Sequence, residues 1–317
     1  MLPYILRRLV LALVTLWLLA TIVFLVANVL PNDVGRTILG PFAPQETVDA
    51  LNAELGTDDP MLAQYGRQMK ALVTFDYGDS YQSKRPVWGI LSGPLWRSAK
   101  LAFYALVMTV PIAVAAGMFA ARKRDRLSDR TIVLAGLASS SIPEFVTGSI
   151  LAVVFGVAFG WFPVLASFPP GTSVVSQLRF LFLPALSMSV VYFGYIARMM
   201  RASTIRALEA DYTRTAVMKG LSQSQVMRTH VLRNAMGPTI SVISVQVGYL
   251  FGGIIGVEKV FNYNGLGQTV LIAAKAKDLP LLQASVVIIG IVYMLSTLLA
   301  DIVIAWLNPR ARLELGS

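Results

Sequence analysis

Residues 9–30 form a run of 22 without a single charge, directly after Arg7 and Arg8. Nothing else in the chain limits its fold as much. About 20 apolar residues in a helix are enough to cross the ~30 Å hydrocarbon core of a bilayer. Inside that core every backbone N–H and C=O must find a partner, which a helix provides and an open strand does not. The run is longer than the ~7–15-residue apolar core of a secretory signal, and no small-residue cleavage site follows it, so it reads as a retained first span. Five further stretches of the same kind lie at 101–121, 131–159, 180–199, 236–257 and 281–307. Composition agrees: 56% of residues are hydrophobic and 14% charged, against roughly 25% charged in a soluble domain. So few charges cannot cover a water-facing surface. The sequence predicts an all-α membrane protein with six transmembrane helices.

The charges between the spans give the topology. The N-terminus, the loop 122–130, the segment 198–233 and the tail after Asn308 hold 16 basic and five acidic residues, a balance of +11. The alternate set, 31–100, 160–179 and 258–278, holds 11 basic and ten acidic, or +1. Glu144 and Asp301 lie within spans and complete the net charge of +10. Lys and Arg accumulate on the cytoplasmic side, so both termini are expected there. The positive charge then needs no nucleic acid as partner. Zero cysteines exclude disulfides and thiolate metal sites, and one histidine, His230, excludes a His-rich metal centre.

The organisation is uneven. Residues 1–30 hold the cytoplasmic N-terminus and first span, and 31–97 form a polar insert on the outer side with eight acids and six bases. Residues 98–308 carry the other five spans, and 309–317 form a cytoplasmic tail. An insert of this length carries short elements of its own. Helical patterns at 45–55 and 60–73, set off by Pro31, Pro41, Pro44 and Pro60, supply them.

The second large polar segment, from Arg201, reads RASTIRALEADYTRTAVMKGLSQSQVMRTHVLRNAMGP. It predicts a helix up to Lys219, with Gly220 as C-cap or turn. Ser222 is an N-cap for a second helix, which Gly237-Pro238 ends or kinks. A solvated basic loop that merely sets topology is the plain alternative. Against it, Tyr212, Ala216 and Leu221 form an apolar strip among Arg214 and Lys219, suited to docking in a protein groove. A DNA-reading helix pair fits poorly, because the segment is tethered between two spans.

The stretch DYTRTAVMKGLSQSQVMRTHVLRNAMGP resembles the cytoplasmic signature of ABC-importer permeases, in the dipeptide/oligopeptide B-type branch. Asp211, Tyr212, Arg214, Thr215, Ala216, Lys219 and Gly220 match its first half, and His230, Leu232, Arg233, Asn234 and Pro238 its second. The wider importer family has Glu-Ala-Ala where this chain has Arg214, Thr215 and Ala216, a departure shared by the peptide branch. The resemblance extends along nearly the whole chain. Arg7-Arg8 with Val29-Leu30-Pro31-Asn32-Asp33 is similar to the opening of these permeases, with Asn32 in place of glycine. Leu55-Gly56, Asp59-Pro60, Gln64-Tyr65 and Asp76-Tyr77-Gly78-Asp79-Ser80 resemble their external segment. Glu258, Phe261, Gly265 and Gly267 fall on an extracytoplasmic Glu-x-x-Phe…Gly-Leu-Gly motif, and Asn308-Pro309-Arg310 on an Asp-Pro-Arg ending.

The resemblance implies a type I ABC importer permease fold and a bacterial inner-membrane location. It implies a coupling helix at about 207–220, with Leu221 beside it, seated in an ATPase subunit. It also implies a C-type permease partner, two ATP-binding subunits, an external solute-binding protein and di- or oligopeptide substrates. ATP and Mg would be bound by the partner subunits, and no cofactor by this chain. Nickel, glutathione, opine and sugar importers use the same permease type, so the substrate stays open.

Two acids lie in predicted spans. Glu144 follows Pro143, which interrupts the third span, and an intramembrane carboxylate is a functional candidate by default. Asp301 lies close to the cytoplasmic end of the last span, within reach of Arg310. The small residues 135–141 and Gly248, Gly252, Gly253 and Gly256 permit close helix approach, with pore lining by Gly252 and Gly253 as the second reading. The sequence has no GxxxxGK[ST] loop, no HExxH and no GxSxG, which removes intrinsic ATPase, metalloprotease and serine-hydrolase chemistry. An intramembrane carboxylate enzyme would need Glu144 and Asp301 at one depth, and their positions differ. A passive channel needs no docking helix pair in 200–236.

Overall fold

The computed structural model describes residues 2–29, 33–169 and 171–307, and among them every regular element is helical. Helix α1 (Leu2–Val29) is the first span. Three short helices follow, α2 (Val34–Leu39), α3 (Gln45–Leu55) and α4 (Met61–Thr74). Next come α5 (Val87–Arg122), α6 (Leu127–Ser141) and α7 (Glu144–Leu151), the last prolonged by a π turn over Ala152–Ala158. Helix α8 (Val174–Glu209) leads into α9 (Asp211–Met218). A single turn α10 (Gln223–Gln225) and a π turn (Val226–Val231) merge into α11 (Leu232–Val260), and α12 (Leu266–Lys275) and α13 (Leu279–Leu307) complete the chain.

Five of the expected spans are continuous helices: Leu6–Val26, Val87–Arg122, Val174–Glu209, Gln223–Val260 and Leu279–Leu307. The sixth is the pair Leu127–Ser141 and Glu144–Ala158, bent by 100°. Pro143 lacks an N–H and forces Ile142 into extended backbone (φ −99°, ψ 126°), which a helix cannot absorb. Pro238, expected to end or kink its helix, does not end it. It lies inside α11 between Ala235 and Thr239, both buried, and that packing outweighs one missing hydrogen bond. Helix α5 begins at Val87, within the segment read as insert, so that segment feeds straight into the second span.

The described residues fall into two compact units. The first holds residues 2–5, 99–263 and 293–307, with α8 at its centre. A Cβ added to Gly194 would lie 2.0 Å from the Gly136 carbonyl oxygen, so α6 and α8 touch backbone to backbone. Beside this crossing, Arg201 holds the buried Asp129 through two bonds of 2.5 and 2.6 Å.

The second unit holds residues 6–98 and 264–292. Asp33 caps α2 by accepting from the Arg36 N–H at 2.8 Å, and Asn52 donates to the same oxygen. These bonds, the Arg36 amide first, hold the Asp33 carboxyl below its ordinary range. Helix α4 lies back on α1: the Gln68 amide donates to the Ala20 carbonyl at 2.8 Å, and the Tyr65 and Thr21 hydroxyls are 2.9 Å apart. Ahead of α13, the Asp278 carboxylate accepts from the Ser80 hydroxyl and from the Tyr81 and Gln82 N–H groups.

Candidate functional site

The residues singled out between α8 and α11 build one tight turn. Ala210 is extended (φ −73°, ψ 147°) and breaks the path from α8 into α9. The Thr213 hydroxyl donates to the Ala207 carbonyl at 2.6 Å and ties α9 to the helix before it. At the far end the Gly220 N–H donates to the Val217 carbonyl at 2.9 Å. Gly220 itself has φ +79°, a left-handed conformation that a side chain disfavours. Ser222 opens the next helix with a capping box: its side chain takes the Gln225 N–H, and the Gln225 side chain takes the Ser222 N–H.

The helix read as 207–220 is therefore shorter, 211–218, with two distinct faces. Thr213 and Ala216 point inward, and Ala216 joins a buried cluster with Met200, Ala207, Val226, Met227, Val231 and Ala235. Leu221 packs against the rim of that cluster. The outward face carries Tyr212, Arg214, Val217 and Met218, the last 80% exposed. The apolar strip expected of Tyr212, Ala216 and Leu221 thus divides between the chain's own core and its surface. Asp211, Thr215 and Lys219 are also exposed. Partial burial of the ring pushes the Tyr212 phenol above its ordinary pKa, so it stays a neutral, amphipathic contact group.

A second constellation forms where α7, α8 and α11 meet. Glu144 stands in the first turn of α7, where a carboxylate is favoured by the helix dipole. The buried Tyr192 hydroxyl donates to its Oε1 at 3.1 Å. A Cβ on Gly253 would come within 2.7 Å of the same oxygen, so the carboxylate lies over that glycine. Gly252 faces open space instead. Of the two glycines proposed as pore lining, one is covered by Glu144 and the other is free. Tyr192 was not legible from sequence, since a tyrosine inside an apolar run looks like any packing aromatic.

Between α8, α11 and the end of α13 runs an open groove of about 1,100 Å³. Tyr195, Arg198, Arg233, Asn234, Gln246 and Tyr249 are its polar lining, and among the described residues no acid lines it. Arg198 lies 5.4 Å from the Tyr195 ring, and Arg233 donates to the Leu307 carbonyl at 2.7 Å.

The motif expected on the extracytoplasmic side is mainly buried. Phe261 lies against Gly148, its carbonyl accepts from the Ala166 N–H at 2.8 Å, and Glu258 is fully buried. In the other unit, Gly265 precedes α12, whose first N–H, from Leu266, is capped by the Ser98 hydroxyl at 2.7 Å, and Gly267 is buried. The expected Asn308-Pro309-Arg310 ending, and Arg310 as partner of Asp301, lie outside the described residues.

Residues 113–313 match the family model described as binding-protein-dependent transport system inner membrane component, and residues 1–102 match the model of its N-terminal part. The glutathione transport system permease protein GsiC of Escherichia coli (strain K12) is 34% identical over 312 residues, 98% of this chain and 99% of that protein. GsiC of Shigella boydii serotype 4 (strain Sb227) is 33% identical over the same extent. Among solved structures, a crystal structure of an amino acid ABC transporter with histidines covers 70% of this chain and 94% of that chain, at 17% identity and a TM-score of 0.45.

Proposed function

The chain belongs to the family of inner membrane components of binding-protein-dependent transport systems and is a permease subunit of an ABC importer rather than an enzyme; from that premise we propose that it forms half of a pathway for di- and oligopeptides. The outward face of α9 carries this reading. Tyr212, Val217 and Met218 expose apolar surface beside Arg214 on a helix of only eight residues, held rigidly by its opposite face. Such a face suits a protein groove. We assign it to the cleft of an ATP-binding subunit, with both chain termini on the same cytoplasmic side, a reading the charge balance supports.

The buried face explains how docking could act at a distance. Ala216 packs with Met200 and Ala207 of α8 and with Val226, Met227 and Val231 ahead of α11. A push on α9 therefore moves both spans together. Nearly complete switching between two states needs ~5.5 kcal/mol of differential interaction, and only a rigid element transmits it. In our reading the groove between α8, α11 and α13 is this chain's wall of the pathway, and the Glu144–Tyr192 pair braces the bend at Pro143. A C-type permease would supply the opposite wall. Two ATPases, carrying ATP and Mg, would drive the cycle, and an external binding protein would dock over the insert.

Substitution of Val217 or Met218 by Glu tests the assignment. The expected result is loss of ATPase recovery with the permease and loss of ATP-driven uptake, with membrane insertion unchanged. Uptake that survives both substitutions would remove α9 from the docking role. For the substrate, the glutathione named for the relatives is itself a tripeptide, in keeping with a peptide pathway. Mass spectrometry of ligands held by the partner binding protein decides it. Peptides support the reading, whereas nickel, an opine or a sugar would replace the substrate and leave the permease role intact.

A further inference from the structure

Away from the groove and from α9, the second unit contains a cavity of about 320 Å³ between α4, the loop after it and the first turns of α13. Two of its lining residues are buried polar groups without a partner. Gln68 is 6% exposed and Tyr77 8%, yet neither Gln68 Oε1 nor the Tyr77 hydroxyl has a hydrogen-bond partner. Buried polar atoms are nearly always paired, and each exception needs an explanation.

The remaining lining narrows what could pair with them. Gln68 directs its amide nitrogen at the Ala20 carbonyl, which leaves its oxygen for the cavity. Gln64 donates from its single amide nitrogen to both the Thr57 and Asp59 carbonyls, at 2.8 Å each, so it too has only an acceptor left. Arg67 is engaged by the Asp59 carboxylate and the Gly56 carbonyl. Asp76 and Asp79 stand exposed along the lining. The unpartnered Gln68 oxygen and the two carboxylates thus stand against one lining cation, Arg67, whose charge Asp59 already offsets. Burial pushes the Tyr77 phenol up to about 12 and raises Tyr81 as well, so both rings stay neutral and offer hydroxyls and π faces.

We propose that this cavity binds a small amine of about amino-acid size through its ammonium group. An ammonium has three donors and no acceptor, the complement of Gln68 Oε1, the Tyr77 oxygen and the rim carboxylates. A carboxylate ligand would meet the Gln68 oxygen and the like charge of Asp76 and Asp79, with Arg67 already held by Asp59. The volume lies at the small end of known ligand sites. A ligand here would touch α4, the 76–81 loop and Leu279, Pro280 and Gln283 of α13 at once. It would tighten the junction where Asp278 already holds Ser80, Tyr81 and Gln82. The site is independent of the pathway proposed above.

Calorimetry on the full chain in lipid nanodiscs tests the proposal, with putrescine and lysine as probes and succinate and glycerol as controls. The expected result is saturable one-to-one binding of an amine and none of succinate or glycerol. Tyr77→Phe, which keeps the ring and removes the hydroxyl, should weaken amine binding by about tenfold. Asp79→Asn, at an exposed side chain, should weaken it several-fold without shifting the unfolding temperature of the free chain. If Tyr77→Phe does not fold, Asp79→Asn decides. Met218→Glu should leave amine binding intact even where uptake is lost. Absence of saturable amine binding, equal binding of succinate, or an affinity untouched by these cavity substitutions would overturn the proposal.

Discussion

Asp129 exposes 2% of its surface and receives two bonds from Arg201, whose side chain is 26% exposed. The two partners are therefore not equivalent. Arg201→Ala leaves a carboxylate buried without its cation and should cost about 3 kcal/mol. Asp129→Ala leaves a guanidinium that can still reach water, and should cost about half as much. Thermal unfolding of the two variants in one detergent checks the order; equal losses would mean that the pair contributes through packing alone. Sequence showed neither residue as a pair, because both lie in basic stretches that the charge count explained as topology. Glu144 was legible for the opposite reason, a lone acid in an apolar run. Its placement over Gly253 and under the Tyr192 hydroxyl was not, since contacts across three helices leave no local pattern.

At the level of elements, hydropathy located the spans and capping chemistry located the turn after α9. Ser222 caps the next helix as expected, and α3 and α4 fall where the insert's helical patterns lie. The 100° bend at Pro143 and the continuation of α11 past Pro238 could not be told apart beforehand. Proline states that a hydrogen bond is missing, whereas packing decides whether the helix continues. Helix approach is equally hidden in composition. Gly194→Ala would drive a methyl to 2.0 Å from the Gly136 carbonyl oxygen, where backbone cannot yield, and should sharply reduce folded protein. Gly252→Ala meets no atom within 4 Å and should leave the yield unchanged. Comparison of folded yield by size-exclusion chromatography separates the two; a tolerated Gly194→Ala would contradict the contact between α6 and α8. The division of α9 into an inner and an outer face has the same origin. Ala216 and Tyr212 lie one turn apart, yet the small Ala216 enters the buried cluster at 4% exposure while the larger Tyr212, at the edge of that face, keeps 39%.

The whole molecule combines a permease family, a positive charge excess on one set of loops and one short helix, α9, with an exposed face of Tyr212, Val217 and Met218. Family membership gives the transport role, while the docking of α9 on an ATP-binding subunit is the proposal that would couple the spans to ATP. The absence of cysteine makes a direct test clean, since a single introduced thiol is unique in the chain. Met218→Cys, at a side chain 80% exposed, should form a cross-link to an ATP-binding subunit in native membranes, with a yield that changes when ATP is added. A thiol at Phe42 of the insert, 98% exposed, should form none. A Met218→Cys chain that supports full uptake yet never cross-links to an ATPase subunit would contradict the claim that α9 couples ATP to transport.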